Sequence, residues 1–375
     1  MSADTLIGVY PPLETAALRA RAHTDAFPWS APGLRLTHLG RGAVWLALEA
    51  LGLGRGSRVA MPAYHCGSEV EAAHLRGCEV LFYRVDADLR VDEDDMRRAA
   101  AEADALYLIS NFGFPMVDPP DGVAVIEDAA HALFSLDAQG RPVGARGDAA
   151  VFCPRKSLGL PDGGAVLVRA GEPRTVDRRP GAKAMLRSTA SLAFARAAIS
   201  RVSPVRRLAT RVIGRASIGD AAAQQGELTD VVIGEWGLEP RDMENAAGRP
   251  ARLTAALARR ADPERLRARR RANYSILLAE LAELAPAAHR ALPGGCAPLY
   301  FPALAADRPA AIRGLLAHGV RPLEVWPVPH PLLDRARFAE LEPLRAGLLA
   351  LPVHQALGER EMERVLDAAQ RVLLD

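Results

Sequence analysis

Three side chains of different chemistry follow one another in an order that suits imine formation. Asp128 comes at the end of an apolar run, His131 follows it closely, and Lys156 comes later in the chain. Lysine is rare here, since only Lys156 and Lys183 are lysines among 47 lysines and arginines. A lysine amine can form a Schiff base with an aldehyde, whereas an arginine stays protonated and forms none. Together with a carboxylate that keeps a pyridine nitrogen protonated, these residue types indicate a pyridoxal phosphate (PLP) enzyme.

Each of these residues also has a plainer interpretation. Asp128 could cap the N-terminus of a helix, His131 could be an ordinary core or surface histidine, and Lys156 could be a surface lysine. The neighbours favour a site, because Ala129 and Ala130 leave room for a flat ring. The residues around Lys156 are largely apolar, so we expect partial burial to lower its pKa toward the neutral, nucleophilic form.

The pattern of apolar segments predicts the scaffold that must position these residues. Helices predicted at 42–51, 68–76 and 92–102 are interspersed with strands predicted at 58–62, 78–83, 105–110, 122–126, 149–152 and 164–168. Such alternation is typical of an α/β fold with a mostly parallel sheet and helices on both faces. Asp128 then lies just past the carboxyl end of its strand, where sheets of this kind bind ligands.

The rest of the chain divides into two further parts. Residues 174–226 lack a strand signal and suit one or two helices broken at Pro204, inserted into the first domain. Helices predicted at 263–284, 309–318 and 358–374, with a strand at 298–302, indicate a compact α+β unit. We therefore predict a large cofactor-binding domain at 1–245 and a smaller C-terminal domain at 246–375.

Composition narrows the class of protein. The 375 residues are 49% hydrophobic and 25% charged, as in ordinary globular proteins. No long apolar run is present and the N-terminus lacks the pattern of a secretory signal, so a cytoplasmic protein is expected. The four cysteines are scattered, which favours reduced thiols over disulfides or a metal site. With a net charge of only +2 and no visible reader motif, nucleic-acid binding is not expected.

A strongly basic segment follows the predicted sheet. Residues 174–215 carry ten arginines and Lys183 against a single acid, Asp177. The plain interpretation is a solvated helical face, which we favour. Two alternatives stay open, namely contact with an anionic substrate such as the diphosphate of a nucleotide sugar, and contact with a membrane surface through the apolar residues between the arginines.

These motifs together resemble those of the DegT/DnrJ/EryC1/StrS family of sugar aminotransferases. Residues 127–132, Glu-Asp-Ala-Ala-His-Ala, match the most specific motif of the family nearly letter for letter, and residues 147–152 with 163–164 match the next one. The similarity runs from the turn at 41–43 to the closing elements at 318–320 and 351–354. It implies the type I (aspartate aminotransferase-like) fold of PLP-dependent enzymes.

The resemblance also implies a reaction and its catalytic residues. Lys156 would form the imine with PLP and then carry a proton, Asp128 would pair with the pyridine nitrogen, and His131 would contact the ring. The enzyme would move an amino group, with glutamate as the expected donor, to a keto sugar carried on a nucleotide. It would do so by a ping-pong mechanism in a homodimer whose active sites lie at the subunit interface.

Further cofactor contacts are implied around the phosphate and the ring. Residues 40–44 open a predicted helix and are a candidate phosphate cradle. By resemblance, the backbone N–H groups of Gly42 and Ala43 would bind the phosphate, with Cys153 nearby. The aromatic residue that usually stacks on the ring aligns with a cysteine, so the ring is expected to meet one of three consecutive residues, Tyr64, His65 and Cys66.

The chain also departs from the family pattern. Lys156 follows Phe152 at a shorter spacing than usual, and the asparagine-containing loop of the family is not recognisable. Three other functions therefore stay open: a relative that binds PLP without turnover, a PLP enzyme that acts on a non-sugar ketone, and a dehydratase. Family dehydratases carry a histidine in place of the lysine, so Lys156 argues against the last. Lys183 would be the imine-forming residue only if the short spacing misaligns the motif.

Overall fold

The computed structural model describes residues 6–14, 19–170, 172–198 and 236–374. The strands are β1 Ile7–Gly8, β2 Arg35–Thr37, β3 Arg58–Pro62, β4 Glu79–Tyr83, β5 Ala105–Ile109, β6 Ala124–Asp128, β7 Ala149–Phe152, β8 Gly164–Val168, β9 Tyr300–Leu304, β10 Val320–Arg321, β11 Leu323–Glu324 and β12 Leu348–Pro352. The α-helices are α1 Gly40–Ala50, α2 Ser68–Leu75, α3 Glu93–Ala101, α4 Pro154–Leu158, α5 Ala182–Ala198, α6 Pro240–Ala247, α7 Arg252–Leu257, α8 Pro263–Leu281, α9 Arg308–Ala317, α10 Glu342–Gly347 and α11 Glu359–Leu373. Short 3₁₀ helices lie at Asn111–Gly113, Ala258–Arg260, Ala282–Leu284, Ala287–His289 and Ala339–Leu341.

A seven-stranded sheet forms the first part of the fold, with the strand order β2-β8-β7-β6-β5-β3-β4. The strands β4, β3, β5, β6 and β7 run parallel to one another, whereas β8 is antiparallel to β7 and β2 is antiparallel to β8. The central strands read as nearly continuous apolar runs because helices cover both faces of such a sheet. The predicted α/β fold with a mostly parallel sheet is therefore confirmed.

The predicted elements of this sheet agree with the structure to within a few residues, but two elements were missed. The edge strand β2 and the short helix α4 were not predicted. Both are too short to show a hydrophobic period. The second omission matters, because α4 carries Lys156.

Helix starts in this fold follow capping chemistry that the sequence shows. The side chain of Asp92 accepts a hydrogen bond from the N–H of Asp95 at the start of α3. Asp262 caps α8 and Asp307 caps α9 in the same way, and each of these helices has a proline in its first turn. An N-cap carboxylate satisfies N–H groups that have no partner inside the helix, so these residues fix where the helices begin.

The C-terminal part is built on a small antiparallel sheet of order β11-β12-β9. The N-terminal strand β1 pairs in parallel with β10 of this part. The predicted domain boundary at 245/246 falls inside α6. This helix packs on α1, which lies on the large sheet, and the indole of Trp45 on α1 donates to Glu244 on α6 at 3.0 Å. The division into two domains at that position stays a prediction.

The basic segment is only partly described. Helix α5 occupies its first half, and Leu186 on α5 is 73% exposed. The predicted break at Pro204 and the remainder of the insertion up to residue 226 lie outside the described residues. Within the part of the chain that the structure covers, no helix has the length and apolar character needed to cross a membrane. All four cysteines are free thiols.

Candidate active site

Asp128 forms the floor of the site as the last residue of β6, in the middle of the seven-stranded sheet. Its carboxylate is buried and accepts hydrogen bonds from the hydroxyl of Tyr107 at 2.7 Å and from the N–H of Ala130 at 2.8 Å. Burial raises the pKa of Asp128, and these two hydrogen bonds offset part of the rise. The carboxylate is therefore fixed in place by its neighbours rather than solvated.

Lys156 lies in the short helix α4, between β7 and β8. Its Nζ is 2.9 Å from Nε2 of His131, so the structure brings these two predicted residues into direct contact. The helix begins with a proline and ends at Gly159, which has φ of 61°. A Cβ at Gly159 would lie 2.4 Å from the carbonyl oxygen of Pro11, so glycine is required at this close approach. The compact helix delivers the amine despite the short spacing after Phe152.

The charges of Lys156 and His131 follow from their surroundings. Burial holds the pKa of His131 well below its usual value, and the charge of Lys156 acts in the same direction, so His131 is neutral. Burial also disfavours the ammonium of Lys156, but attraction to nearby acidic groups, Cys153 first and Asp128 among them, outweighs it and raises the pKa of Lys156. The expected lowering of this pKa is therefore wrong. The direction of the hydrogen bond between Nζ and Nε2 follows the tautomer of His131, whose Nδ1 accepts from the N–H of Phe112 at 3.4 Å.

A narrow cavity opens beside Lys156 and His131, and the sequence did not predict the residues that complete it. They come from the N-terminal segment and the C-terminal part of the chain: Tyr10, Tyr300, Leu323, Glu324, Val325 and Trp326. The Trp326 ring is nearly parallel to the His131 ring, with centroids 5.7 Å apart. These residues lie far from the motifs in sequence and carry no pattern of their own. Only the tertiary fold brings them to the site.

The three residues expected to face the cofactor ring lie in different surroundings. Tyr64 is fully buried and donates from its hydroxyl to the carbonyl of Val325 at 3.2 Å. His65 is fully buried and stacks on Phe82 in the core. Cys66 is partly exposed, and its thiol donates to the buried carboxylate of Glu69 at 2.7 Å. The choice of a ring-facing residue among these three stays a prediction.

The expected phosphate cradle has a different internal arrangement from the one predicted. Gly42 and Ala43 donate their N–H groups to the carbonyl oxygen of Leu39 at 3.1 and 3.3 Å, inside the helix. Gly40, the first helical residue, lies against Cys153, whose Sγ would be 3.5 Å from a Cβ at position 40. An anion at this helix start would therefore meet the Gly40 amide before those of Gly42 and Ala43. The assignment of Gly42 and Ala43 as phosphate ligands stays a prediction.

The chemistry of these groups fits PLP. Lys156 offers a primary amine, Asp128 offers a buried carboxylate, and the start of α1 offers an amide-bearing turn beside Cys153. The carboxylate of Glu127, next to Asp128, is occupied elsewhere, since it accepts from the N–H groups of Gly144 and Arg146. Only one of the two consecutive acids is therefore available to a bound ring.

Comparison with known proteins agrees with this chemistry. Residues 37–178 match the model of the DegT/DnrJ/EryC1/StrS aminotransferase family, and this segment includes Asp128, His131 and Lys156. The match begins at Thr37, the last residue of β2, and includes strands β3 to β8 of the large sheet.

Several solved structures share the fold over nearly the whole chain. The aminotransferase TlmJ from Streptoalloteichus hindustanus is 21% identical, with 98% of this chain and 99% of that chain covered and a TM-score of 0.61. The PLP form of the putative sugar aminotransferase Spr1654 from Streptococcus pneumoniae is 16% identical, with 98% and 100% covered and a TM-score of 0.60. DesV from S. venezuelae, solved with a ketimine intermediate, is 20% identical, with 91% and 85% covered and a TM-score of 0.58. These likenesses show a common fold. The family match itself covers residues 37–178, so the similarity to aminotransferases of the DegT/DnrJ/EryC1/StrS family rests on that segment and on the shared fold.

Proposed function

We propose that this chain transfers an amino group from glutamate to the carbonyl carbon of a keto sugar carried on a nucleotide, in a ping-pong cycle. The observation that carries the proposal is the contact between Lys156 and a neutral His131 at 2.9 Å, beside the buried carboxylate of Asp128. The family match over residues 37–178 supplies the reaction class. The sugar acceptor is supported by the putative sugar aminotransferase Spr1654, which shares the fold.

Each of the three residues has a task that follows from its position. PLP, when bound, supplies an aldehyde and a ring that accepts electrons. Asp128, fixed by Tyr107 and Ala130, would hold a proton at the pyridine nitrogen. His131, whose Nε2 is 2.9 Å from Nζ of Lys156, would hold the amine in position. The amine of Lys156 would move a proton at the reacting carbon.

The remaining lining of the cavity supports a sugar acceptor. Trp326, Tyr10 and Tyr300 present aromatic rings there, and two of the three carry a hydroxyl. The apolar face of a sugar packs well on such rings, while its hydroxyls pair with polar edges.

The proposal is tested by a half-reaction. Purified protein is loaded with PLP and mixed with glutamate, glutamine or aspartate in turn, while visible absorption and 2-oxo acid release are followed. We expect glutamate to bleach the visible band and to release 2-oxoglutarate, and a nucleotide-linked keto sugar to restore the band. A band that no amino donor bleaches would contradict the aminotransferase proposal and leave a chain that binds PLP without turnover.

The remaining expectations are also proposals. We propose a homodimer, with an expected particle mass of twice the chain mass of 40.1 kDa, which mass photometry would test. The cytoplasmic location stays a prediction from the sequence. So does the interpretation of the basic segment as a solvated face, because much of 174–215 lies outside the described residues.

A further inference from the structure

A fully buried arginine lies beneath the active site. The buried face of α8 consists of apolar residues at helical spacing, interrupted by polar ones: Leu266, Arg270, Asn273, Tyr274, Leu277 and Leu281. Arg270 is 0% exposed, and burial lowers its pKa to about 10. Burying a guanidinium is costly unless its donors are satisfied, so its presence on this face needs a reason.

In the described part of the chain, the hydrogen bonds of Arg270 go to neutral acceptors. Nε donates to Oε1 of Gln355 at 2.9 Å, and Nη2 donates to the carbonyl oxygen of Ser157 at 2.8 Å. Nη1 reaches the carbonyl of Pro298 at 3.5 Å. The side-chain amide of Gln355 also donates, from Nε2 to the carbonyl oxygen of Ser157 at 3.0 Å. Arg270, Gln355 and Ser157 therefore form a closed triangle of hydrogen bonds.

The shared acceptor belongs to the residue that follows Lys156. Helix α4 has only 5 residues, so it cannot be stable by itself. Its last carbonyls have no partner inside the helix, and a cation at this end interacts favourably with them. The two donors on the Ser157 carbonyl thus hold the end of the element that aims Nζ at His131.

We propose that Arg270, together with Gln355, is a positioning residue that fixes α4 and so directs the Lys156 amine. This inference rests on the proposed function, because it matters only if Lys156 is the reacting amine. Neither residue lines the cavity beside Lys156. Their effect passes through the backbone of Ser157.

The first test uses the chain without cofactor. Arg270→Met keeps an unbranched side chain and removes the guanidinium donors. The matched control is Leu277→Ala, a fully buried residue on the same face of α8 whose truncation loosens the core without touching a hydrogen bond. We expect backbone amides of residues 155–159 to exchange with deuterium at least about fivefold faster in Arg270→Met than in Leu277→Ala. Equal exchange in the two variants would overturn the proposal.

The second test follows covalent attachment of PLP to Lys156, trapped by borohydride and measured by mass spectrometry over time. We expect the trapping rate to fall about tenfold in Arg270→Met and less in Gln355→Leu, because a small displacement of a reacting group is costly in rate. Rates equal to that of Leu277→Ala would overturn the proposal. Should Arg270→Met fail to fold, Gln355→Leu and Arg270→Lys decide it in both assays. If the wild-type chain traps no PLP at Lys156, the proposed function is refuted. The hydrogen-exchange result would still test whether Arg270 fixes α4 through the Ser157 carbonyl.

Discussion

Gly42 offers a sharp test of why glycine occurs at the start of α1. As a phosphate ligand it would contribute an accessible amide. The structure gives a steric reason instead, because a Cβ at this position would lie 2.1 Å from the carbonyl carbon of Ala246 and 2.2 Å from the nitrogen of Ala247. These are backbone atoms of α6, which cannot turn aside as a flexible side chain can.

The cost of Gly42→Ala follows from that geometry. Carbon atoms normally pack about 3.5–4.0 Å apart, so α1 and α6 would have to separate by more than about 1 Å. Overpacking of this kind costs about 3 kcal/mol, while alanine in a helix recovers about 1 kcal/mol relative to glycine. We expect a net loss of about 2 kcal/mol in the free energy of unfolding of the chain without PLP.

Urea unfolding of the PLP-free chain measures this loss, and Gly8→Ala serves as the control. A Cβ at Gly8 meets nothing within 4 Å, so that variant should keep its stability within about 0.5 kcal/mol. If Gly42→Ala unfolds at the same urea concentration as wild type but binds PLP more weakly, the steric reasoning is refuted and the phosphate interpretation of Gly42 is favoured.

Three further predictions concern buried polar groups, each measured by urea unfolding of the PLP-free chain. Burial raises the pKa of the Asp128 carboxyl above its ordinary value of 3.8. The folded chain therefore holds the carboxyl proton more tightly than the unfolded chain, and the free energy of unfolding falls as pH rises above that value. Asp128→Asn should therefore be more stable than wild type at pH 8 and gain less at pH 4, and a gain that does not depend on pH would contradict this. Tyr107→Phe removes the 2.7 Å hydrogen bond to that carboxylate and should cost about 1.5–3 kcal/mol at pH 8, whereas a neutral result would mean that the bond is not formed. Burial lowers the pKa of His289 from 6.5 to about 4, so the unfolded chain takes up a proton that the folded chain excludes, and stability falls as pH falls across this range. His289→Phe should reduce the slope of the unfolding free energy against pH by up to about 1.4 kcal/mol per pH unit. An unchanged slope would mean that other groups cause the loss of stability at low pH.

The motif-bearing half of the site could be predicted from the sequence because its residues follow strands of a regular α/β pattern. Asp128 ends β6, and His131 and Lys156 come from the segments that follow β6 and β7. The carboxyl ends of parallel strands share one edge of a sheet, so the order of the strands already implied that these side chains meet.

The other half of the site could not be predicted, since it depends on contacts between segments far apart in the chain. Trp326 and Tyr300 reach the cavity only through the packing of the C-terminal part on the large sheet. Arg270 looks like one more arginine in an Arg-rich helix, and only its helical spacing from Leu266 and Tyr274 separates it from its exposed neighbour Arg269. The pKa shift of Lys156 was misjudged for a related reason, because burial could be expected from the apolar neighbours, whereas the balance between burial and attraction to the nearby groups depends on distances that only the fold sets.

The most direct test of the account is the position of the covalent bond to PLP. The chain has only two lysines, so reduction with borohydride followed by peptide mapping gives an unambiguous answer. We predict a reduced PLP adduct on the peptide that contains Lys156, none on the peptide that contains Lys183, and no adduct in Lys156→Arg, which keeps the charge but cannot form an imine. An adduct on Lys183, or no adduct on either lysine, would contradict the assignment of the site.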